Sequence, residues 1–214
     1  MPRPYSDLEL KVRGYVDFNM YLLFAVICVL HILILYIQQS FIISQIPAFQ
    51  FLQGTEMLLF RVIAGLKILG VPVLYGLKFT VVAFILWTGC FMWGYKVNYT
   101  KCWQVSMIAE LVFFLPAILK TLWFLLIQTE TNYWDFQAFY PLSLMAFFDH
   151  EQVPDQYLYV NQSLNLFEVL YWIALTYGID FAARKKKSVA NAIVFTTYVP
   201  LFFFWLWFYA AVYD

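Results

Sequence analysis

Long apolar runs alternate with short polar stretches along this chain, and five of the runs extend over 18 residues or more. They are Phe18–Gln38, Pro72–Tyr95, Gln104–Gln128, Leu164–Phe181 and Ala190–Val212. A helix rising ~1.5 Å per residue needs about 20 residues to cross a hydrocarbon core of roughly 30 Å, so each run is read as a span. Strands of a membrane barrel would alternate polar and apolar positions; these runs do not, which predicts helices. The expected fold class is all-α: a polytopic membrane helix bundle of five transmembrane helices, with residues 1–17 as an N-terminal arm and residues 18–214 as one membrane domain.

The segment from Phe41 to Gly70 breaks this pattern. Pro47 and Gly54 interrupt it, and Gln45, Gln50 and Gln53 dilute it. Phe41–Leu52 reads as a short amphipathic piece at the interface. Glu56–Leu69 reads as an interfacial or half-inserted helix whose Arg61 and Lys67 snorkel, with a re-entrant element or a sixth span as the alternatives.

Charge orients the bundle. Basic residues sit before the first span (Arg3, Lys11, Arg13), between the second and third (Lys96, Lys101), and between the fourth and fifth (Arg184 to Lys187). The stretch from Thr129 to Ser163 has no Lys or Arg and carries Glu130, Asp135, Asp149, Glu151 and Asp155. The excess of Lys and Arg in cytoplasmic loops then places the N-terminus inside and the C-terminus outside. Arg61 and Lys67 resist this arrangement; the three basic regions support it. The long acidic loop, rich in aromatics, is expected to fold as a cap, with Tyr133–Phe148 forming a short helical element. The first span is too long for a signal peptide and lacks a small-residue cleavage site, so the mature protein is expected to begin at or near Met1.

Composition adds what the pattern leaves open. The 214 residues are 64% hydrophobic, 22% aromatic and only 12% charged, against ~25% charged in soluble domains. Mean hydropathy is +0.72. Lys plus Arg and Asp plus Glu both number 13, and this balance argues against a nucleic-acid partner. Lipids, and other membrane proteins or a second copy, are the expected partners. Cys28, Cys90 and Cys102 form no CxxC pair, and His31 and His150 stand apart, so neither a metal site nor a cofactor is expected. No catalytic motif of the soluble enzyme classes is present. Asn98-Tyr-Thr100 and Asn161-Gln-Ser163 match the glycosylation sequon.

The ionisable residues inside spans carry the chemistry, because charge at membrane depth is costly. The candidate polar cluster is His31, Lys78, Lys120, Glu168 and Glu110. Counted from the span ends, Lys78, Lys120, Glu168 and His31 fall in the outer half. Glu110 falls nearer the cytoplasm, without a partner at its depth. Asp180 is placed to pair with Arg184. Matching depth and opposite charge predict that Lys120 and Glu168 approach each other. Such a pair could hold helices in register, or form a substrate or proton pathway. Gly89 and Gly94 suggest close packing of the second span, and Pro116 divides the third into two half-helices.

From about Lys78 to Val212 the order of features resembles the Yip1 domain, a five-span membrane fold. The stretches that carry the likeness are Asn98 to Gln104, Ile108-Ala-Glu-Leu, Leu115-Pro116, the run from Leu164 to Trp172, and Tyr177-Gly178. The resemblance implies an N-in, C-out bundle. The short N-terminal arm departs from the long cytoplasmic arms of eukaryotic members, so the chain is similar to compact bacterial relatives. The expected function is a non-enzymatic scaffold, assembly or lipid-organising factor of a bacterial cytoplasmic membrane. A small permease or channel using the buried charges is the alternative. Five spans without an inverted repeat favour the first.

Overall fold

The computed structural model describes residues 19–50, 54–128, 132–149, 151–183 and 187–213. The N-terminal arm, Arg184 with its expected partnership to Asp180, and His150 lie outside the described residues. The fold is an all-α bundle, and no strand occurs among the described residues. Five helical stretches are long and apolar enough to cross a membrane, the third being the combined stretch Tyr99–Leu126.

Helix α1 is Met20–Phe41, started by Asn19, whose side chain accepts from the Tyr21 amide. The single helical turn Pro47–Gln50 follows. Helix α2 then runs unbroken over Thr55–Met92, 38 residues or roughly 57 Å. Glu56–Leu69 is therefore not a sixth span; it is continuous with the second span's helix. Pro72 lies inside α2 and does not stop it. A proline removes one backbone bond, whereas ending a helix among lipid would free several polar groups at once.

A tight turn closes α2. Trp93 caps it, and Gly94 adopts φ 72°. The Gly94 amide donates to the Phe91 carbonyl at 3.0 Å and that of Tyr95 to the Cys90 carbonyl at 2.8 Å. This left-handed exit is the role of Gly94, not helix packing: a Cβ built there would meet nothing within 4 Å. Asn98 caps helix α3, Tyr99–Glu110, by accepting from the Thr100 amide. The first sequon is thus a helix start. A tight 3₁₀ turn, Leu111–Phe113, separates α3 from α4, Phe114–Leu126. Pro116 sits in the first turn of α4, where its ring would clash with the Val112 carbonyl of a continuous α-helix, so the break falls where proline geometry requires.

The long loop is an ordered cap. It holds α5 (Tyr133–Ala138), a 3₁₀ turn (Leu144–Phe147) and α6 (Asp155–Ser163). Phe136 is buried against Phe124 of α4, and Phe139 stacks on Trp123. Phe147 is 83% exposed. The Leu144 amide donates to the Leu164 carbonyl and the Leu166 amide to the Leu142 carbonyl, tying the cap to α7, Leu166–Ala183. The last helix, α8, is Lys187–Val212.

Helices α2, α3, α7 and α8 form a closed ring, each touching the next, and α1 leans on the outside against α2 and α4. Two glycines set the closest crossings. A Cβ at Gly89 of α2 would lie 2.8 Å from Thr197 Cγ2 of α8, and one at Gly178 of α7 would clash with Val105 of α3. Around these crossings, near the Trp93–Asn98 junction, Leu86, Cys90, Cys102, Leu175, Ile179, Ile193 and Val194 are fully buried.

Candidate functional site

Beyond the glycine crossing, α2 and α8 diverge. A cavity of about 1070 Å³ occupies the space between them, with α1 and α4 behind it and the cap across one end. Its walls are mostly apolar. The rim residues Leu74, Leu77 and Val81 on α2, and Leu201, Phe204 and Trp205 on α8, are exposed. The cavity therefore opens sideways between two helices, on surface that faces hydrocarbon if the bundle spans a bilayer.

All five residues of the candidate polar cluster line this cavity: His31, Lys78, Glu110, Lys120 and Glu168. Their partnerships differ from the expected ones. Lys78 Nζ meets Glu110 Oε1 at 2.7 Å, an ion pair between α2 and α3. The span-end count put these two residues at different depths because it started the second span at Pro72. Counted from the short α2–α3 junction, Lys78 lies about 14 residues from the end of α2 and Glu110 about 12 into α3, or roughly 18–21 Å along each helix. The lysine also lies over the rings of Phe113, 4.5 Å from the centroid, and Tyr171, at 5.8 Å. The glutamate side chain is 3% exposed and the lysine side chain 41%, so the acid is sealed while the base faces the cavity.

Lys120 and Glu168 do not form an ion pair. Lys120 Nζ lies 4.4 Å from the centre of the Phe136 ring, and no carboxylate among the described residues is within 4 Å of it. Glu168 is held by neutral donors. Its Oε1 accepts from Trp172 Nε1 at 2.9 Å and from the Tyr198 hydroxyl at 3.1 Å. Its backbone amide donates to Asn165 Oδ1 at 2.8 Å, which fixes Glu168 in the first turn of α7. Negative charge is favourable at a helix N-terminus. Indole and hydroxyl donors thus take the place that the lysine was expected to fill, and the cap draws Lys120 towards Phe136.

His31 Nδ1 and the Tyr75 hydroxyl are 3.0 Å apart, joining α1 to α2. Gln38 Nε2 donates to Thr121 Oγ1 at 2.8 Å, joining α1 to α4. From the cap, Gln162 Nε2 donates to the carbonyls of Gln137 and Ala138 at 2.6 and 2.9 Å. Tyr140 completes that wall. Burial pushes its phenol above the ordinary range, and the nearby Glu168 and Glu110 add to the shift.

The residues that sequence reasoning missed are neutral hydrogen-bonding groups. Two had a signal: Tyr75 is three residues before Lys78 and Trp172 four after Glu168, each on the same helix face. Tyr198 and Tyr140 had none, because the partners come from distant parts of the chain. Among the described residues no three or more His, Cys, Asp or Glu side chains converge as metal ligands. Comparison with family models, with curated proteins and with solved structures finds no match for this chain.

Proposed function

We propose that this chain is a non-enzymatic integral membrane protein that holds an amphiphile from the surrounding bilayer, a lipid-organising role. The observation that supports this reading is a large, mostly apolar cavity that opens sideways and carries four charged side chains in its walls. Binding sites for small molecules combine apolar walls with a few placed polar groups in this way. In the reading, acyl chains enter between α2 and α8, and a polar headgroup reaches the charges beneath the cap. The resemblance to the Yip1 domain and the distribution of Lys and Arg support an N-in, C-out bundle in a bacterial cytoplasmic membrane. Lipids are the first partners, and other membrane proteins or a second copy come next.

A permease would need a second opening. The half of the ring near the α2–α3 junction is instead filled by fully buried apolar side chains, which favours a binder over a conduit. Purification in nanodiscs formed directly from membranes, followed by lipid extraction, tests the proposal. Lipid should remain bound through detergent washing, and Ala117→Trp, which fills the cavity from α4, should reduce it several-fold without lowering folded yield. Full retention in a folded Ala117→Trp variant would place the lipid elsewhere and sink the reading.

A further inference from the structure

Resting on the amphiphile reading, we infer that the cavity selects a zwitterionic lipid, with Lys120 receiving its anionic group and Glu168 its ammonium group. Four charged side chains line the cavity, and two of them neutralise each other: Lys78 and Glu110 are in contact at 2.7 Å. The remaining two are opposite in sign and separate. Lys120 has only the Phe136 ring face against its ammonium, without an acid within 4 Å among the described residues. Glu168 uses Oε1 for both of its side-chain hydrogen bonds. Its Oε2 carries no hydrogen bond among the described residues, and Glu168 is part of the cavity lining.

An uncompensated charge at membrane depth costs a few kcal/mol, so the charge borne by the ligand decides which headgroup fits. An anionic headgroup would satisfy Lys120 but leave Glu168 unpaired and repelled. A cationic one would do the reverse. A headgroup carrying both signs satisfies both walls and leaves the cavity neutral. The apolar rim on α2 and α8 supplies the reason for acyl chains rather than a free zwitterion: Leu74, Leu77 and Phe204 are each more than half exposed along the opening.

The test uses the full chain, purified in mild detergent and offered an equimolar mixture of phosphatidylethanolamine, phosphatidylglycerol and diacylglycerol with matched chains. Native mass spectrometry reads the bound species. Phosphatidylethanolamine should be retained over each of the others by about tenfold, the ratio that ~1.4 kcal/mol of discrimination gives. Lys120→Met and Glu168→Gln should each reduce that preference to under about threefold, and Lys120→Arg should keep it. The unsubstituted protein alone decides the matter if a variant misfolds. Equal retention of all three lipids, or a preference for phosphatidylglycerol, overturns the zwitterion while leaving a lipid-binding cavity. Displacement of phosphatidylethanolamine by millimolar phosphoethanolamine overturns the lipid and assigns the site to a soluble zwitterion. Retention of no lipid at all removes the amphiphile reading itself.

Discussion

The two ends of the four-helix ring solve opposite problems with the same helices. Near the α2–α3 junction, Gly89 and Gly178 let backbones approach so closely that a methyl group would collide with Thr197 or Val105, and the space between is filled with apolar side chains. Near the cap, α2 and α8 have separated, and the space is a cavity bordered by Lys78, Glu110, Lys120 and Glu168. Small residues allow close van der Waals approach between membrane helices. Tight crossing at one end of two long, stiff helices permits divergence at the other. The contrast teaches that the packed half forms the base of an open site, and the charges collect where packing stops.

The largest effect expected from breaking this division is at the ion pair that borders both halves. Removing one partner of a buried pair strands the other, a cost of about 3–5 kcal/mol. The two partners are not equivalent here, because Glu110 is sealed and Lys78 faces the cavity. Lys78→Met should therefore lower unfolding stability in detergent by about 3 kcal/mol, and Glu110→Gln by clearly less, since the stranded lysine can still be solvated from the cavity. The double variant should recover most of the loss. Equal losses for the two single variants would mean that the cavity is not wet enough to screen Lys78.

A smaller effect is expected in the packed half. Gly178→Ala gains helix propensity of about 1 kcal/mol but forces a Cβ onto Val105, and overpacking costs about 1–3 kcal/mol. The net change should be destabilising by about 1 kcal/mol, read by thermal unfolding. Adding Val105→Ala should relieve the clash and restore part of the loss. Gly94→Ala tests the other kind of glycine: there the cost is positive φ in a turn, so no partner substitution should rescue it. Rescue of Gly178→Ala by a change elsewhere than Val105 would show that the crossing is not set by this contact.

What could be read from the sequence follows the same boundary. The five spans and the ordered cap are legible because apolar runs and turn residues are local signals. The intramembrane charges stand out in the sequence, because membrane burial makes every such residue conspicuous. Who pairs with whom was not legible. Depths were counted from apparent span ends, and the start of the second span is hidden: Glu56–Leu69 continues helically into it despite Gly65, Gly70 and Pro72. The short Trp93–Asn98 junction was the better ruler, since it forces α2 and α3 to be antiparallel neighbours and brings Lys78 level with Glu110. The hold on Glu168 was partly hidden because Tyr198 reaches it from 30 residues away, while Phe136 reaches Lys120 from the cap in a contact that neither depth nor charge announces.

The finest comparison is between two tyrosines on the boundary itself. Tyr198 donates its hydroxyl hydrogen to Glu168 at 3.1 Å, on the cavity side. Tyr171 is fully buried beneath it, with the two ring centroids 5.6 Å apart, and its hydroxyl has no hydrogen-bond partner among the described residues. A hydrogen bond to a charged group contributes about 1.5–3 kcal/mol, while a buried hydroxyl without a partner carries a desolvation penalty of about 1–3 kcal/mol. Removing the two oxygens should therefore act in opposite directions. Tyr198→Phe should destabilise the bundle by about 1.5 kcal/mol, as Glu168 keeps only the Trp172 donor. Tyr171→Phe should leave stability unchanged or raise it by up to about 1 kcal/mol, since the ring contacts with Phe113 and Tyr198 remain. Thermal unfolding of the two variants side by side checks both. A loss above about 1 kcal/mol for Tyr171→Phe would mean that its hydroxyl is satisfied by water reaching Glu110 from the cavity, and that the wet region extends one layer deeper into the ring than the packing indicates.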